Sequence, residues 1–260
     1  MKKLISWNVN GIRSCVSKGF LGWLSAQDAD FVCIQETKAN PDQLAPEIRE
    51  PRDRSGKPYC AAWSSAKRRG YSGTAIFSKR EPESLSTLGI GEFDDEGRTV
   101  VADFGDFILV SAYFPNSQDA GARLDYKLRF CEAILRFCDS ARAKGRHIIV
   151  AGDYNIAHKP IDLARPEQNE GNPGYLPEER AWMDTFTSLG YVDSFRHLHP
   201  EGGNYTWWTY RVPQARANNV GWRLDYHCMD PEFLPALAGA GIQSETLGSD
   251  HCPVTLDLDL

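Results

Sequence analysis

The pair Asp250-His251, in Gly248-Ser249-Asp250-His251-Cys252-Pro253, closes a set of polar residues that opens with Asn8 and Asn10 in Trp7-Asn8-Val9-Asn10-Gly11. Between them stand Glu36 in Gln35-Glu36-Thr37-Lys38, Asp153 and Asn155 in Gly152-Asp153-Tyr154-Asn155, and Asp225 in Arg223-Leu224-Asp225-Tyr226. A carboxylate at the end of an apolar run, like Glu36, is costly to bury unpaired. A hard divalent cation relieves that cost, since Mg²⁺ takes one or two carboxylates and keeps several waters. A salt bridge to Lys38 or to an arginine relieves it as well; Asn8 and Asn10, ending a neighbouring run, favour the metal. Asp153 can orient and deprotonate water. Asn155, aimed the same way two residues on, can hold a phosphoryl oxygen; an Asx turn is the alternative use of the same residues. Asp225 and His251 suggest a carboxylate–imidazole pair, in which the carboxylate raises the histidine pKa and selects its tautomer. The protonated ring then stabilises charge developing on a phosphate; a purely structural histidine is the alternative. No GxSxG elbow is present, which disfavours a covalent serine or cysteine nucleophile.

The clusters follow or end short apolar runs, as strand ends deliver side chains to a shared site. Strands are expected at Leu4–Trp7, Phe31–Ile34, Thr74–Phe77, Thr99–Asp103, Phe107–Tyr113, His147–Val150 and Val254–Leu258, all rich in Val, Ile and Phe and bounded by Gly, Asn or Asp. Helices are expected at Lys18–Gln27, at Asp125–Lys144 with Gly145 as a stop, and from Leu176-Pro177-Glu178-Glu179 onward with Trp182, Met183, Phe186 and Leu189 on its apolar face. Strand runs without helices between residues 74 and 114 argue against a strictly alternating fold and for two sheets packed face to face, with helices outside. Residues 157–177 and 196–222 read as long loops, the kind that is usually functional. Basic and aromatic residues mix in Lys67–Gly73 and in Tyr205–Arg223, a combination suited to phosphates and nucleotide parts.

The chain has 260 residues, 42% of them hydrophobic and 25% charged, as in a soluble globule that buries its core without staples. No Pro/Gly/Ser linker divides it, so residues 1–260 are expected to form one domain. The net charge of −6 argues against a generic nucleic-acid coat but not against a nuclease, whose metal-binding carboxylates contribute to that total. Seven cysteines without a CxxC pair read as buried free thiols in a reducing compartment. The apolar run after Met1-Lys2-Lys3 breaks at Asn8, too early for a signal peptide, and no run reaches transmembrane length. No basic extension precedes it, so no nuclear or organellar address is visible; a cytoplasmic location, no membrane partner and a monomeric state are expected.

Taken in order, the motifs SWNVNG, QETK, RGYSG, YFPN, GDYN, NVGWRLDY and GSDHCP resemble the exonuclease III family of abasic-site endonucleases, within the endonuclease/exonuclease/phosphatase superfamily. The resemblance spans Ser6 to the C-terminus. It implies a four-layered α/β sandwich of two mixed sheets flanked by helices, Mg²⁺ or Mn²⁺ dependence, and hydrolysis of double-stranded DNA 5′ to abasic sites. The products would be a 3′-hydroxyl and a 5′-deoxyribose phosphate, with exonuclease and 3′-phosphatase side activities on blocked 3′ ends. It also implies roles. Glu36 would be the principal metal ligand, with Asn10 and Asp250 beside it. Asp153 would activate water; Asn155, Asn8 and Tyr113 would hold the phosphate or orient Asp153; His251, backed by Asp225, would contact the scissile phosphate. Asn116, Asn169 and Asn172 would face the substrate. Trp207, Trp222 and Leu224 would wall a pocket for the base-less sugar, Arg13, Lys18, Gly70 and Tyr71 would meet backbone phosphates, and Arg211 would probe the groove. A superfamily phosphatase acting on inositol phosphates or lipids, and a DNA-binding scaffold without catalysis, are the competing readings.

Overall fold

Alternation of buried side chains along the strands sets the layers of the computed structural model, which describes residues 1–260. The strands are β1 (Lys2–Asn8), β2 (Phe31–Gln35), β3 (Cys60–Ser64), β4 (Thr74–Ser78), β5 (Ser84–Ser86), β6 (Thr99–Asp103), β7 (Phe107–Tyr113), β8 (His147–Asp153), β9 (Val192–Asp193), β10 (Asp225–Met229), β11 (Leu237–Ile242) and β12 (Val254–Leu258). They form two six-stranded sheets, ordered β11-β12-β1-β2-β4-β3 and β5-β6-β7-β8-β10-β9. Both are mixed: β1 runs parallel to β2 and β7 to β8, and the other pairs are antiparallel.

In β8, Ile149 and Ala151 face a core shared with Leu4, Cys33 and Ile76 of the other sheet. Ile148 and Val150 face the opposite way, into a core closed by the helices Leu124–Ala143 and Pro177–Ser188. On the first sheet, Ile5 and Trp7 pack outward against Ile12, Cys15, Phe20 and Leu24 of the helices Ile12–Ser17 and Phe20–Gln27. Helix, sheet, sheet, helix: this is the four-layered α/β sandwich. No helix is long and apolar enough to cross a membrane.

The expected strands and helices are present with ends moved by a few residues. The first long helix starts at Phe20 rather than Lys18, because Gly19 takes a left-handed conformation at φ 102°. Leu189 departs from the expected apolar face: it caps the helix Pro177–Ser188 at its end and is 46% exposed, while Glu179 of the same helix is buried. The strands β3, β5, β9, β10 and β11 were not among the expected ones.

Register then places the polar clusters. Tyr113 at the end of β7 pairs with Asp153 at the end of β8, and Asp153 pairs across with Asp225 at the start of β10. Asn8 ends β1 beside Gln35 of β2. One edge of the sandwich therefore receives residues from both sheets. Gly152 permits the β7–β8 approach, since a Cβ there would lie 1.8 Å from the Ala112 carbonyl oxygen.

Candidate active site

Asp153 is fully buried at the edge and heavily hydrogen-bonded. Its Oδ2 accepts from Asn8 Nδ2 at 2.8 Å and Asn155 Nδ2 at 3.1 Å, and its Oδ1 accepts from the Asn155 backbone N–H at 2.8 Å. Asn155 Nδ2 also donates to the Phe114 carbonyl, and its Oδ1 accepts from Asn116 Nδ2 at 3.1 Å. Burial pushes Asp153 up to about 7; the neighbouring His251 opposes that rise and Asp225 reinforces it. Its proton is therefore exchanged near neutrality, the range in which a general base is most effective.

His251 Nδ1 lies 2.8 Å from Asp225 Oδ2, so Nδ1 carries a proton directed at the carboxylate, while Nε2 stands 3.8 Å from Asp153 Oδ2. Burial works against the charged ring, but Asp225 and Asp153 raise the imidazole to about 10. The ring is a fixed cation at neutral pH. Thr206 completes the pair: its hydroxyl donates to Asp225 Oδ2 at 2.6 Å and accepts from the Leu224 and Asp225 backbone N–H groups. Ser249 ties the loop to β1 by donating to the Asn8 carbonyl at 2.8 Å. Thr206 and Ser249 were not singled out from the sequence; their partners lie in other elements, and hydroxyl residues in loops carry no distinguishing spacing.

Beside this centre lies an oxygen-rich group. Lys38 Nζ sits 2.8 Å from Glu36 Oε1 and 2.6 Å from Asn10 Oδ1, and Asn10 Nδ2 donates to Asp250 Oδ1 at 2.9 Å. The salt bridge from Glu36 to Lys38 is thus formed, and the remaining oxygens face the same space. Burial opposes ionisation of Asp250, yet His251 and hydrogen bonds from Asn10 and Trp207 Nε1 hold its carboxyl below the usual range. Two carboxylates and an amide oxygen against one ammonium form a hard, electron-rich set that fits a hard divalent cation. Asp153, Asp225 and His251, whose ligand atoms all lie within 4.8 Å of one another, form a second group able to hold a metal ion. There the protonated imidazole already supplies the positive charge.

The backbone is strained where these groups meet. Asn10, Glu36, Lys38 and Asn155 take positive φ values of 44°, 57°, 51° and 50°. A left-handed glutamate or lysine is unfavourable and persists where the surroundings hold it.

A cleft of about 290 Å³ joins the parts: its lining includes the polar residues Glu36, Asn10, Tyr113, Asn116, Asp153, Asn155, Asn172, Asp250 and His251 together with the apolar Trp207, Trp222 and Leu224. The Trp207 and Trp222 rings meet edge-to-face at 6.2 Å, and Tyr175 backs Trp222 at 6.4 Å. Burial, and next Glu36, push the Tyr113 phenol upward, so its hydroxyl remains a donor. Arg98 supports that ring, with its guanidinium 4.8 Å from the ring centroid. Asn169 lies just outside the cleft and accepts from Asn172 Nδ2 at 3.1 Å.

The remaining expected contact residues, Arg13, Lys18, Gly70, Tyr71 and Arg211, are not among those lining the cleft. Arg13 is exposed and donates to Gln43, Gly70 is exposed in a turn at φ 70°, and Arg211 projects from the exposed turn after Thr209. Lys18 donates to the Gly248 carbonyl at 3.3 Å. The Tyr71 hydroxyl accepts from Arg98 at 2.8 Å and Arg123 at 2.5 Å.

Known proteins resemble this chain along its whole length. The exodeoxyribonuclease of Bacillus subtilis is 40% identical, covering 99% of this chain and 100% of its own. The DNA repair nuclease APEX1 of Danio rerio is 41% identical over 98% of this chain and 82% of its own. An AP endonuclease structure from Archaeoglobus fulgidus superposes with a TM-score of 0.86 at 28% identity, covering 100% of both chains. The structure of a 3′ phosphatase from Neisseria bound to a product DNA hairpin also reaches 0.86, at 26% identity and 100% of both chains. Residues 5–251 match the endonuclease/exonuclease/phosphatase family, and with these relatives over its full length the chain belongs to that family.

Proposed function

We propose that this protein is a metal-dependent DNA-repair phosphodiesterase that cleaves the DNA backbone 5′ to abasic sites, leaving a 3′-hydroxyl and a 5′-deoxyribose phosphate. The observation that carries this reading is a single cleft holding both the Asp153–Asp225–His251 constellation and the apolar wall of Trp207, Trp222 and Leu224. The first is hydrolytic machinery. The second leaves little room for a base, so selection works by absence, and an abasic nucleotide is also cheaper to extrude than a paired one. We read residues 1–260 as one domain, on the strength of the core that Leu4, Ile149 and Ala151 share between the sheets.

Asp153 takes the proton of the attacking water, with Asn8 and Asn155 fixing its carboxylate. His251, charged by Asp225, offers its Nε2–H to the phosphate oxygens. Tyr113 and Asn116 face the same space as donors. Mg²⁺ or Mn²⁺, held by Glu36, Asn10 and Asp250, would supply Lewis-acid stabilisation of charge at the phosphate. Asn172 and Asn169 would meet the strand at the cleft mouth, and Arg13, Lys18, Gly70, Tyr71 and Arg211 the flanking DNA. The exodeoxyribonuclease and 3′ phosphatase relatives support side activities at 3′ ends. Seven unpaired cysteines, most of them buried, fit a reducing cytoplasm.

The test is Mg²⁺-dependent nicking of a duplex with one synthetic abasic site, run beside an undamaged duplex and a recessed 3′ end. Rapid incision at the abasic site is expected. Digestion of the recessed end without that incision would make the protein primarily an exonuclease, and turnover of a soluble phosphomonoester alone would make it a phosphatase.

A further inference from the structure

We infer that Arg216 is a positioning residue, which moulds the loop between β11 and β12 so that Asp250 and His251 reach the cleft. The inference rests on the hydrolytic reading above. Residues 243–253 carry both side chains yet contain no helix or strand. Carbonyls in such a loop must find donors elsewhere.

Arg216 supplies them. Its Nη2 donates to the Ser244 and Thr246 carbonyls, both at 2.6 Å, its Nε to Ser244 at 3.1 Å, and its Nη1 to Ser249 at 3.3 Å. Every polar partner of this guanidinium is a carbonyl of the loop, and the last of them immediately precedes Asp250. The group also lies over the Trp208 ring at 4.6 Å, and the Trp208 backbone N–H donates to the Asp250 carbonyl at 3.0 Å. One cation therefore joins the segment that carries the Trp207 wall to the loop that carries His251. The three carbonyls are reached from three separate nitrogens of a planar fork, a spread that the single nitrogen of lysine cannot reproduce, so lysine is a poor substitute. With its donors committed inward, Arg216 is poorly placed to grip a phosphate. This separates it from the exposed Arg211 of the same turn.

Loosening the loop should displace the imidazolium without removing it. A misplacement of about 1 Å at a reacting centre costs about 10²-fold in rate, and Arg216→Ala is expected to lose kcat on that scale while the Kd for an abasic duplex stays within about threefold. Arg216→Lys should fall between. Arg216 borders a hollow of about 570 Å³ that opens to solvent, so added guanidinium ion can enter the vacated place and should restore part of the kcat of Arg216→Ala. Amide hydrogen exchange in residues 244–250 should accelerate in that variant, with β8 unchanged.

Wild-type kcat in Arg216→Ala would overturn the inference. So would equal losses in affinity and kcat with no guanidinium rescue, the behaviour of a phosphate contact. Unchanged exchange in the loop would overturn it as well. If the wild-type protein fails to incise abasic DNA, the functional reading falls, and the exchange experiment alone decides on Arg216. If Arg216→Ala fails to fold, kcat, Kd and loop exchange of Arg216→Lys decide in the same sense.

Discussion

In the proposed mechanism Asp153 and His251 divide the chemistry, because their surroundings set the two groups apart. Burial raises the carboxyl to about 7, and the two aspartates raise the ring to about 10. A base must be deprotonated and an electrostatic acid protonated, so kcat/KM should rise as pH passes through about 7 and fall again as it passes through about 10. His251→Gln should abolish the alkaline fall; its persistence would assign that limb to another group. Asp153→Asn keeps the shape but removes the proton acceptor, and a kcat loss of about 10³-fold or more with near-normal DNA affinity is expected from single-turnover kinetics. Near-normal turnover would remove Asp153 from the mechanism. These residues were legible in the sequence because each sits in its own short motif. Lys38 was legible only as a partner of Glu36. Thr206 was not legible as part of the Asp225–His251 pair, since a hydroxyl beside a carboxylate is defined by folding and by no local pattern.

Among the elements, the helices Leu124–Ala143 and Pro177–Ser188 do more than cover the second sheet. Lys127 and Glu179, both fully buried, pair at 2.7 Å, and Lys127 also donates to the Asn155 carbonyl at 2.6 Å. The Ser117 hydroxyl donates to the same glutamate. Helix packing is thus wired to the loop that carries Asn155. Lys127→Met leaves a buried carboxylate unpaired and should cost about 3–5 kcal/mol in urea unfolding. The double variant Lys127→Met/Glu179→Met should recover most of that loss, and equal stability of the single and double variants would sink this account. The sequence pattern places Lys127 on the helix without indicating its burial, because charged residues are normally solvated. It likewise passes over β10, β11 and the very short β5 and β9. Asp225–Met229 lacks a run of β-branched residues, and Leu237–Ile242 is largely small; neighbouring strands make them strands.

At the scale of the whole molecule, the cleft exists because the two sheets end together. The metal-fitting group comes from the first sheet and its loops, and Asp153, the proposed base, from the second. Trp222→Ala should therefore reduce discrimination between abasic and undamaged duplex more than it reduces overall affinity; unchanged selectivity would count against the apolar wall. Binding of Mg²⁺ to the folded state alone should raise the melting temperature, by an amount equivalent to about 2.7 kcal/mol at a hundredfold excess over Kd. Glu36→Gln should abolish that rise, and its survival would move the ion to another set of oxygens.

By itself the sequence determined the kinds of chemistry available, the strand and helix runs with strong periodicity, and the motif order that carries the family resemblance. Those are local properties, written in residue type and spacing. The tertiary structure decided which groups touch: Asn8 on Asp153 and Trp7 on the His251 carbonyl, contacts that span 145 and 244 residues of chain. It also decided which residues are strained, which charges are buried and what pKa each carries. These follow from the desolvation and field of neighbours that only the packed sheets bring together, and no local pattern encodes them.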